Sequence, residues 1–427
     1  MVHIVIAGAG GTGLTLAYLL ARHGIEVTLI EAATRFDRVF RGEGLMPGGI
    51  QALEQMGLLE LLQTLPTQQI HTWKFVVNDR PFLQANEPED LGVYRPTLIS
   101  QPLFLEALLK RAQAFPCFHF IQGTVQGLSH EGDRSDARVS GVVVRQAGQE
   151  VAIPADLVIG ADGRKSAVRR LANLPLEKLD YDADVLWLRM AAPLPESDRH
   201  TFYGFIRDAE SFGAYTAWDN SLKMAYVLSH EQPPRERVSK ESALPQEQRQ
   251  DWKAIDWADR IAKIAPPAFA HHIRANADTL DPPVLLNVML AQCPQWHQPG
   301  VLLLGDAAHP MAPIRAQGIN VALRDVIVAV NHLLPVLQTA TEVSLEAIDA
   351  ILPNIQSERQ PEILRCQELQ RQEQAHATQI CRSPLLRQTL MLTSPLIRPF
   401  SGKVWMARQQ QLRFGIQPVL LNSPLLN

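Results

Sequence analysis

A chain of 427 residues, 46% hydrophobic and 20% charged, can bury a large core and has the length of a two- or three-domain globular protein. Its formal net charge of −4 leaves no electrostatic footprint for nucleic acid. The four cysteines, Cys117, Cys293, Cys366 and Cys381, form no C-x-x-C, which argues against a metal or disulfide framework and fits a reducing, cytoplasmic setting.

The first predicted unit is βαβ. His3–Ala7 reads as a buried strand, Gly8-Ala9-Gly10-Gly11-Thr12-Gly13 as a glycine turn opening a helix, and residues 26–31 as a second strand ending in Glu31. In a Gly-x-Gly-x-x-Gly turn so placed, Gly8 permits the tight bend, Gly10 a close backbone approach to a pyrophosphate and Gly13 tight packing of helix on sheet. The helix start then points free N–H groups at the phosphates. Glu31, 18 residues past Gly13, suits ribose hydroxyls and disfavours a 2′-phosphate, so the site fits FAD or NAD rather than NADP. Residues 4–21 are apolar, yet no Lys or Arg precedes them and glycines crowd their middle, so they do not read as a secretory leader. No other run approaches the roughly 18 apolar residues needed to span a bilayer.

Arg41 lies in a glycine-rich loop, either as a solvated charge or folded over a pyrophosphate. A helix is expected over residues 49–62, strands over 73–77 and 94–99, a helix from Gln101-Pro102 to Arg111, and one strand over 118–128. Residues 139–145 and 150–153 read as a hairpin. The buried strand 156–160 runs into Asp162-Gly163, which reads either as a sugar-binding turn or as a plain Asp-Gly turn before a helix. Residues 185–190, 211–218 and 223–228 alternate as antiparallel strands of a separate region, 232–248 reads as an exposed connection, and 252–275 as helix broken at Pro266-Pro267. Trp187, Phe212, Tyr215 and Trp218 are candidates either for an apolar pocket or for core. A last buried strand, residues 300–304, ends in Gly305-Asp306, and Pro313 to Asn320 opens another helix whose N–H groups at Gly318, Ile319 and Asn320 can meet negative charge. His309 reads as a structural strand-end histidine or a partner of Asp306. Residues 344–382 are amphipathic helix, and 385–427 a helical cap or a peripheral membrane contact.

Taken in order, Gly8-x-Gly10-x-x-Gly13, Asp162-Gly163, and Gly305-Asp306 with Pro313 and Gly318-Ile319-Asn320 resemble the signature set of the class A FAD-dependent aromatic hydroxylases, the p-hydroxybenzoate hydroxylase-like flavoprotein monooxygenases, over most of residues 1–345. The resemblance implies an α/β fold with a Rossmann-like FAD-binding domain, an inserted mixed or antiparallel sheet that binds substrate, and a C-terminal helical segment. The expected parts are 1–72, 97–171 and 285–345 for FAD, 73–96 and 172–284 for substrate, and 346–427 for the helical region. It implies Glu31 on the adenosine ribose, Arg41 and Gln101 near pyrophosphate and ribityl, the Val125 backbone near adenine, Asp162 near the pyrophosphate and nicotinamide region, and Asp306 on the ribityl. Gly8, Gly10, Thr12, Gly13, Gly305 and Pro313 complete the cofactor set, with Gly318, Ile319 and Asn320 around flavin N1 and C2.

The same resemblance implies NAD(P)H as transient reductant, O2, and hydroxylation or epoxidation of a small aromatic or polycyclic substrate through a flavin C4a-hydroperoxide, in a monomer or homodimer. Pro313 and Arg315 are the candidate catalytic residues. The family commonly has glycine where Ala316 stands, and beside it Arg315 is left with three roles: pairing an acidic substrate, supporting a reduced flavin anion, or pointing to solvent. Competing readings are a geranylgeranyl reductase-like enzyme of the same fold and a flavin-binding redox sensor of low turnover.

Overall fold

The strand His3–Ala7 lies between two parallel neighbours. In the computed structural model, which describes residues 2–36, 43–132, 137–181, 183–229, 256–338 and 343–422, it pairs with Glu26–Glu31 on one side and Leu157–Gly160 on the other, Ala7 standing opposite Ile30 and Gly160. Val301–Leu303 and Phe118–Gln122 extend this parallel sheet, and the short His297–Gln298 closes it antiparallel as a sixth strand. Parallel strands covered on both faces need apolar side chains on both, which is why Ile4, Val5, Ile6 and Leu157, Val158, Ile159 are all buried. One face packs on helices Gly11–Arg22, Gln101–Ala112 and Gln317–Gln338; the other packs on a small antiparallel sheet of Gln149–Pro154, Val139–Gln146 and Thr124–His130.

Helix Ile314–Gln338 corrects the expectation about apolar runs: by length and composition it is apolar enough to cross a membrane, but 78% of its apolar window is buried inside the protein. Its Leu323, Val326, Ile327 and Val330 belong to one core with Leu14, Leu19 and Leu352, so protein supplies its surroundings.

A second sheet has seven strands in the order Val284–Leu286, Ala183–Met190, Leu222–Ser229, Glu210–Thr216, Thr201–Arg207, Thr72–Val77 and Arg80–Asn86. All neighbours are antiparallel except Thr201–Arg207 with Thr72–Val77. Alternation gives it two unlike faces. One carries Leu186, Phe205, Phe212 and Met224 against helices Trp257–Ile264 and Pro267–Ala275; the other carries Trp73, Phe75, Trp187, Phe202 and Tyr215. Helices Leu345–Arg382 and Pro384–Phe414, capped by Ser344 and Ser383, complete the chain. The second crosses Arg80–Asn86 so closely that a Cβ on Gly402 would lie 2.1 Å from the Gln84 carbonyl oxygen.

Local differences from the sequence reading have physical causes. Residues 118–128 are two strands in different sheets, because the chain changes sheet at Gly123, where a Cβ would strike Val144. The helix expected over 49–62 is Pro47–Gln55 and Leu59–Gln63, broken where Gly57 takes a φ of 68°. Tyr94 ends a 3-10 turn, leaving only Thr97–Ile99 extended. The exposed connection 232–248 and Arg41 lie outside the described residues.

Candidate active site

The glycine turn sits where three segments meet. Gly8 has a φ of 98°, and a Cβ there would lie 2.5 Å from the Ala161 carbonyl oxygen; one on Gly13 would lie 2.0 Å from the Gly8 carbonyl oxygen. Only glycine lets the first helix and the Ala161–Asp162 turn close on the loop in this way. Gly10 is the opposite case, with no atom within 4 Å of its Cβ position, so its backbone faces open space at the N-terminus of the helix Gly11–Arg22. The Glu31 carboxylate orders the loop: Oε2 accepts from the Ala9 N–H at 2.8 Å and Oε1 from the Ala33 N–H at 2.8 Å.

Asp162 Oδ2 accepts from the Ala167 and Val168 N–H groups at 2.6 and 3.2 Å, and its buried Oδ1 has no hydrogen-bond partner. The third segment closes the other side. A Cβ on Gly305 would meet Thr12 Oγ1 at 2.4 Å, one on Gly318 lies 3.8 Å from Asp306 Oδ1, and one on Gly11 would be 3.5 Å from Ile319 and 3.9 Å from Gln101 Nε2. Gly8, Gly10, Thr12, Gly13, Glu31, Gln101, Asp162, Gly305, Asp306, Gly318 and Ile319 therefore gather around one loop. Val125 stands apart on the strand Thr124–His130 with its side chain in the core beside Ile30, though Gly123 just before it donates to the Glu31 carbonyl at 2.9 Å.

Asn320 turns from this cradle toward the second sheet. Its Oδ1 accepts from the Met46 N–H at 2.7 Å, and its Nδ2 donates to the carbonyls of Gly44 and Ala316 at 3.0 and 2.6 Å. It thereby fixes the turn Pro313–Ala316, in which Arg315 and Ala316 both adopt left-handed φ values of 59° and 51°. The Arg315 guanidinium lies over the rings of Trp405, Trp73 and Phe75, 4.5, 5.4 and 5.4 Å from their centroids, and donates to Glu373 Oε2 at 3.1 Å. This removes the solvent-facing alternative for Arg315: the turn's geometry and three aromatic faces direct it inward.

The face that Arg315 meets is aromatic with one polar corner. Trp187, Tyr215 and Trp218 lie on it, whereas Phe212 points to the opposite face, because residues three apart on a strand cannot share a side. Lys223 lies across from Tyr215 on one neighbouring strand and Arg189 on the other, and its ammonium donates to Glu43, both side chains being nearly buried. Burial raises the Glu43 carboxyl above its ordinary value, against the pull of Lys223. Burial acts likewise on Asp219, but Ser221's hydrogen bonds and the Lys223 and Arg189 charges outweigh it and hold that carboxyl low. Glu43, Lys223, Glu373 and Trp405 were not singled out in the sequence. A lysine among Leu222, Met224 and Tyr226 was the available signal, but a single cation on a strand equally marks a solvent face.

His309 is structural. Its Nε2 meets Asp325 Oδ2 at 2.7 Å, both buried, rather than Asp306, and Asp325 Oδ1 accepts from Arg359 at 2.7 Å.

The chain belongs to the FAD binding domain family, whose pattern it matches over residues 1–351, and it is an FAD-dependent monooxygenase. It is 32% identical over 329 residues to the 6-methylpretetramide 4-monooxygenase of Streptomyces rimosus, covering 76% of this chain and 73% of that one. It is 26% identical over 333 residues to the 3-demethoxyubiquinol 3-hydroxylase of Escherichia coli K12, covering 76% and 77%. In fold it superposes on Pseudomonas aeruginosa PqsL in complex with 2-aminobenzoylacetate, with a TM-score of 0.72, 20% identity and coverage of 92% and 99%. FAD fits the cradle: the open space where a Gly10 side chain would stand, at the start of a helix, and an unpaired buried Asp162 oxygen are what a diphosphate and its sugars require, and the Glu31 carboxylate stands at the tip of the neighbouring strand.

Proposed function

We propose that this monooxygenase takes its electrons from NADH or NADPH and hydroxylates or epoxidises an aromatic or polycyclic small molecule held between the seven-stranded sheet and the turn Pro313–Ala316. The observation that carries this reading is the path formed by Asn320, which joins the cradle around Asp306 and Gly318 to the aromatic face through Ala316, Gly44 and Met46. FAD, when bound, supplies the redox and oxygen-transfer chemistry. Backbone N–H groups at Gly10 and Gly11 would receive the phosphates at the helix start, Glu31 and Asp306 would accept from sugar and ribityl hydroxyls, and the amides of Gly318 and Ile319, at the start of another helix, would favour negative charge on the flavin. In this reading Gln101 serves the pyrophosphate and ribityl and the Val125 backbone serves the adenine.

Trp73, Phe75, Phe202, Tyr215 and Trp187 offer flat apolar surface to a ring and keep water from it. Lys223 Nζ is the cation that favours the anionic form of a phenolic or enolic hydroxyl, which makes a ring more electron-rich, while Glu43 holds that ammonium in place. The Streptomyces rimosus relative is named for 6-methylpretetramide, and the several rings of this aromatic face support a substrate with more than one ring. The test is turnover by purified FAD-loaded protein with NADH or NADPH across phenolic, quinone-like and polyketide compounds. We expect substrate-stimulated nucleotide oxidation, oxygen uptake and a product heavier by one oxygen atom; flavin that neither nucleotide reduces overturns the reading.

A further inference from the structure

We propose that the helix Pro384–Phe414 is a docking surface for an anionic lipid bilayer. Its inner face is committed to the protein: Ser401 Oγ donates to the Phe82 carbonyl at 3.1 Å, Gly402 lies flush on Gln84, Trp405 reaches the aromatic face, and Arg413 pairs with Glu87. Its outer face is apolar. Leu392, Leu396, Phe400 and Val404 recur every fourth residue and are 78%, 76%, 68% and 57% exposed, with Leu385 at 74%. Half of the exposed large hydrophobic side chains among the described residues stand on this one helix. A contiguous apolar stripe of this kind marks an interaction surface, whereas scattered exposed leucines do not.

Two observations select lipid as the occupant. The first is charge: after Glu373 the sequence contains six Lys or Arg and no Asp or Glu, in a chain whose net charge is −4. Of these, Arg398, Lys403 and Arg408 are exposed on the same helix as the stripe; Arg398 donates to Gln84 Oε1 at 3.1 Å where the helix crosses the strand, and Lys403 and Arg408 stand clear of it. Exposed cations on a helix that carries an apolar stripe are the layout of helices lying in the plane of a bilayer, where they can meet headgroup phosphates. The second is polar saturation. The two hydroxyls within the stripe, Thr389 and Thr393, donate to the carbonyls of Leu385 and Thr389 at 2.9 and 2.8 Å, so the helix satisfies them itself and their transfer to an apolar phase leaves no donor unpaired. A self-association face would more often pair its cations with acidic groups, and this helix has none to offer a second copy.

The test uses full-length, FAD-loaded protein floated with vesicles of phosphatidylcholine alone or of equimolar phosphatidylcholine and phosphatidylglycerol. We expect at least about tenfold more protein bound to the anionic vesicles, declining as salt is raised. The double variant L396E/F400E should lose that binding while keeping its flavin and its unfolding midpoint, since both side chains are exposed. A Phe400→Trp variant should gain quenching by brominated acyl chains. A parent that floats with neither vesicle overturns the proposal, as does a double variant that binds like the parent. Light scattering that shows a dimer dissolved by L396E/F400E, with no vesicle binding by the parent, assigns the face to a second copy and also overturns it. The readout is the bound fraction, so it stands or falls independently of turnover.

Discussion

Lys223 donates to Glu43 across the junction between the seven-stranded sheet and the segment entering the strand pair Gly44–Leu45 and Thr97–Ile99, and both partners are nearly sealed from water. Glu43→Gln removes the buried carboxylate to which the Lys223 ammonium donates and is expected to cost about 3 kcal/mol. Replacing both, as E43Q/K223M, should recover most of that loss. Urea unfolding of the four members of this cycle measures it, and equal losses in the single and double variants would show that the two groups do not act together.

The strained turn makes a second prediction. Ala316 holds a φ of 51° that costs a residue with a Cβ about 1 kcal/mol, so Ala316→Gly should stabilise the protein by up to that amount. Arg315→Gln should act in the opposite direction by about 2 kcal/mol, because it removes a cation stacked on three rings and takes from Glu373 its ion pair, leaving among the described residues the Gln409 amide at 3.0 Å. Thermal midpoints of the two variants check both signs.

Asp325 links stability to acid. Burial would raise its carboxyl, but His309 and Arg359 outweigh burial and hold it below the ordinary value. A carboxyl lowered on folding contributes fully above its unfolded value, and that contribution drains away as pH falls through the folded one. Asp325→Asn should therefore cost about 3 to 5 kcal/mol at neutral pH. It should also flatten the fall in stability below about pH 4, which is the regime of an unperturbed Asp. Unfolding free energies at pH 3 to 7 give both readings.

Asp162 separates folding from cofactor retention. Asp162→Ala removes the acceptor for Ala167 and Val168 N–H, a loss of about 1 kcal/mol, and also removes the unpaired oxygen. Asp162→Asn keeps the side chain's shape and one acceptor but not the charge. If the unpaired oxygen serves the cofactor, both variants should bind FAD at least about tenfold more weakly, and only the alanine variant should lose stability without flavin. Fluorescence titration with FAD and apoprotein unfolding make the comparison.

The flavin half was legible because its chemistry is local: Gly8, Gly10, Gly13 and Glu31 lie within one βαβ unit, and their spacing states both turn and helix start. Gly305 and Asp306 were legible for the same reason, as the end of an apolar strand. The proposed substrate half was not. Lys223 and Glu43 are 180 residues apart, and nothing near either announces the other. Phe212 and Tyr215 looked alike in the sequence, and only the strand's alternation places them on opposite sides of the sheet.

The match to the FAD binding domain family ends at residue 351, yet Glu373, Trp405 and Met406 close over the aromatic face from beyond it. The cover of the proposed substrate face is thus written in a part of the chain that the shared flavin-holding portion does not constrain. Exchanging this tail between relatives would be expected to transplant substrate preference while leaving the yellow cofactor where it was.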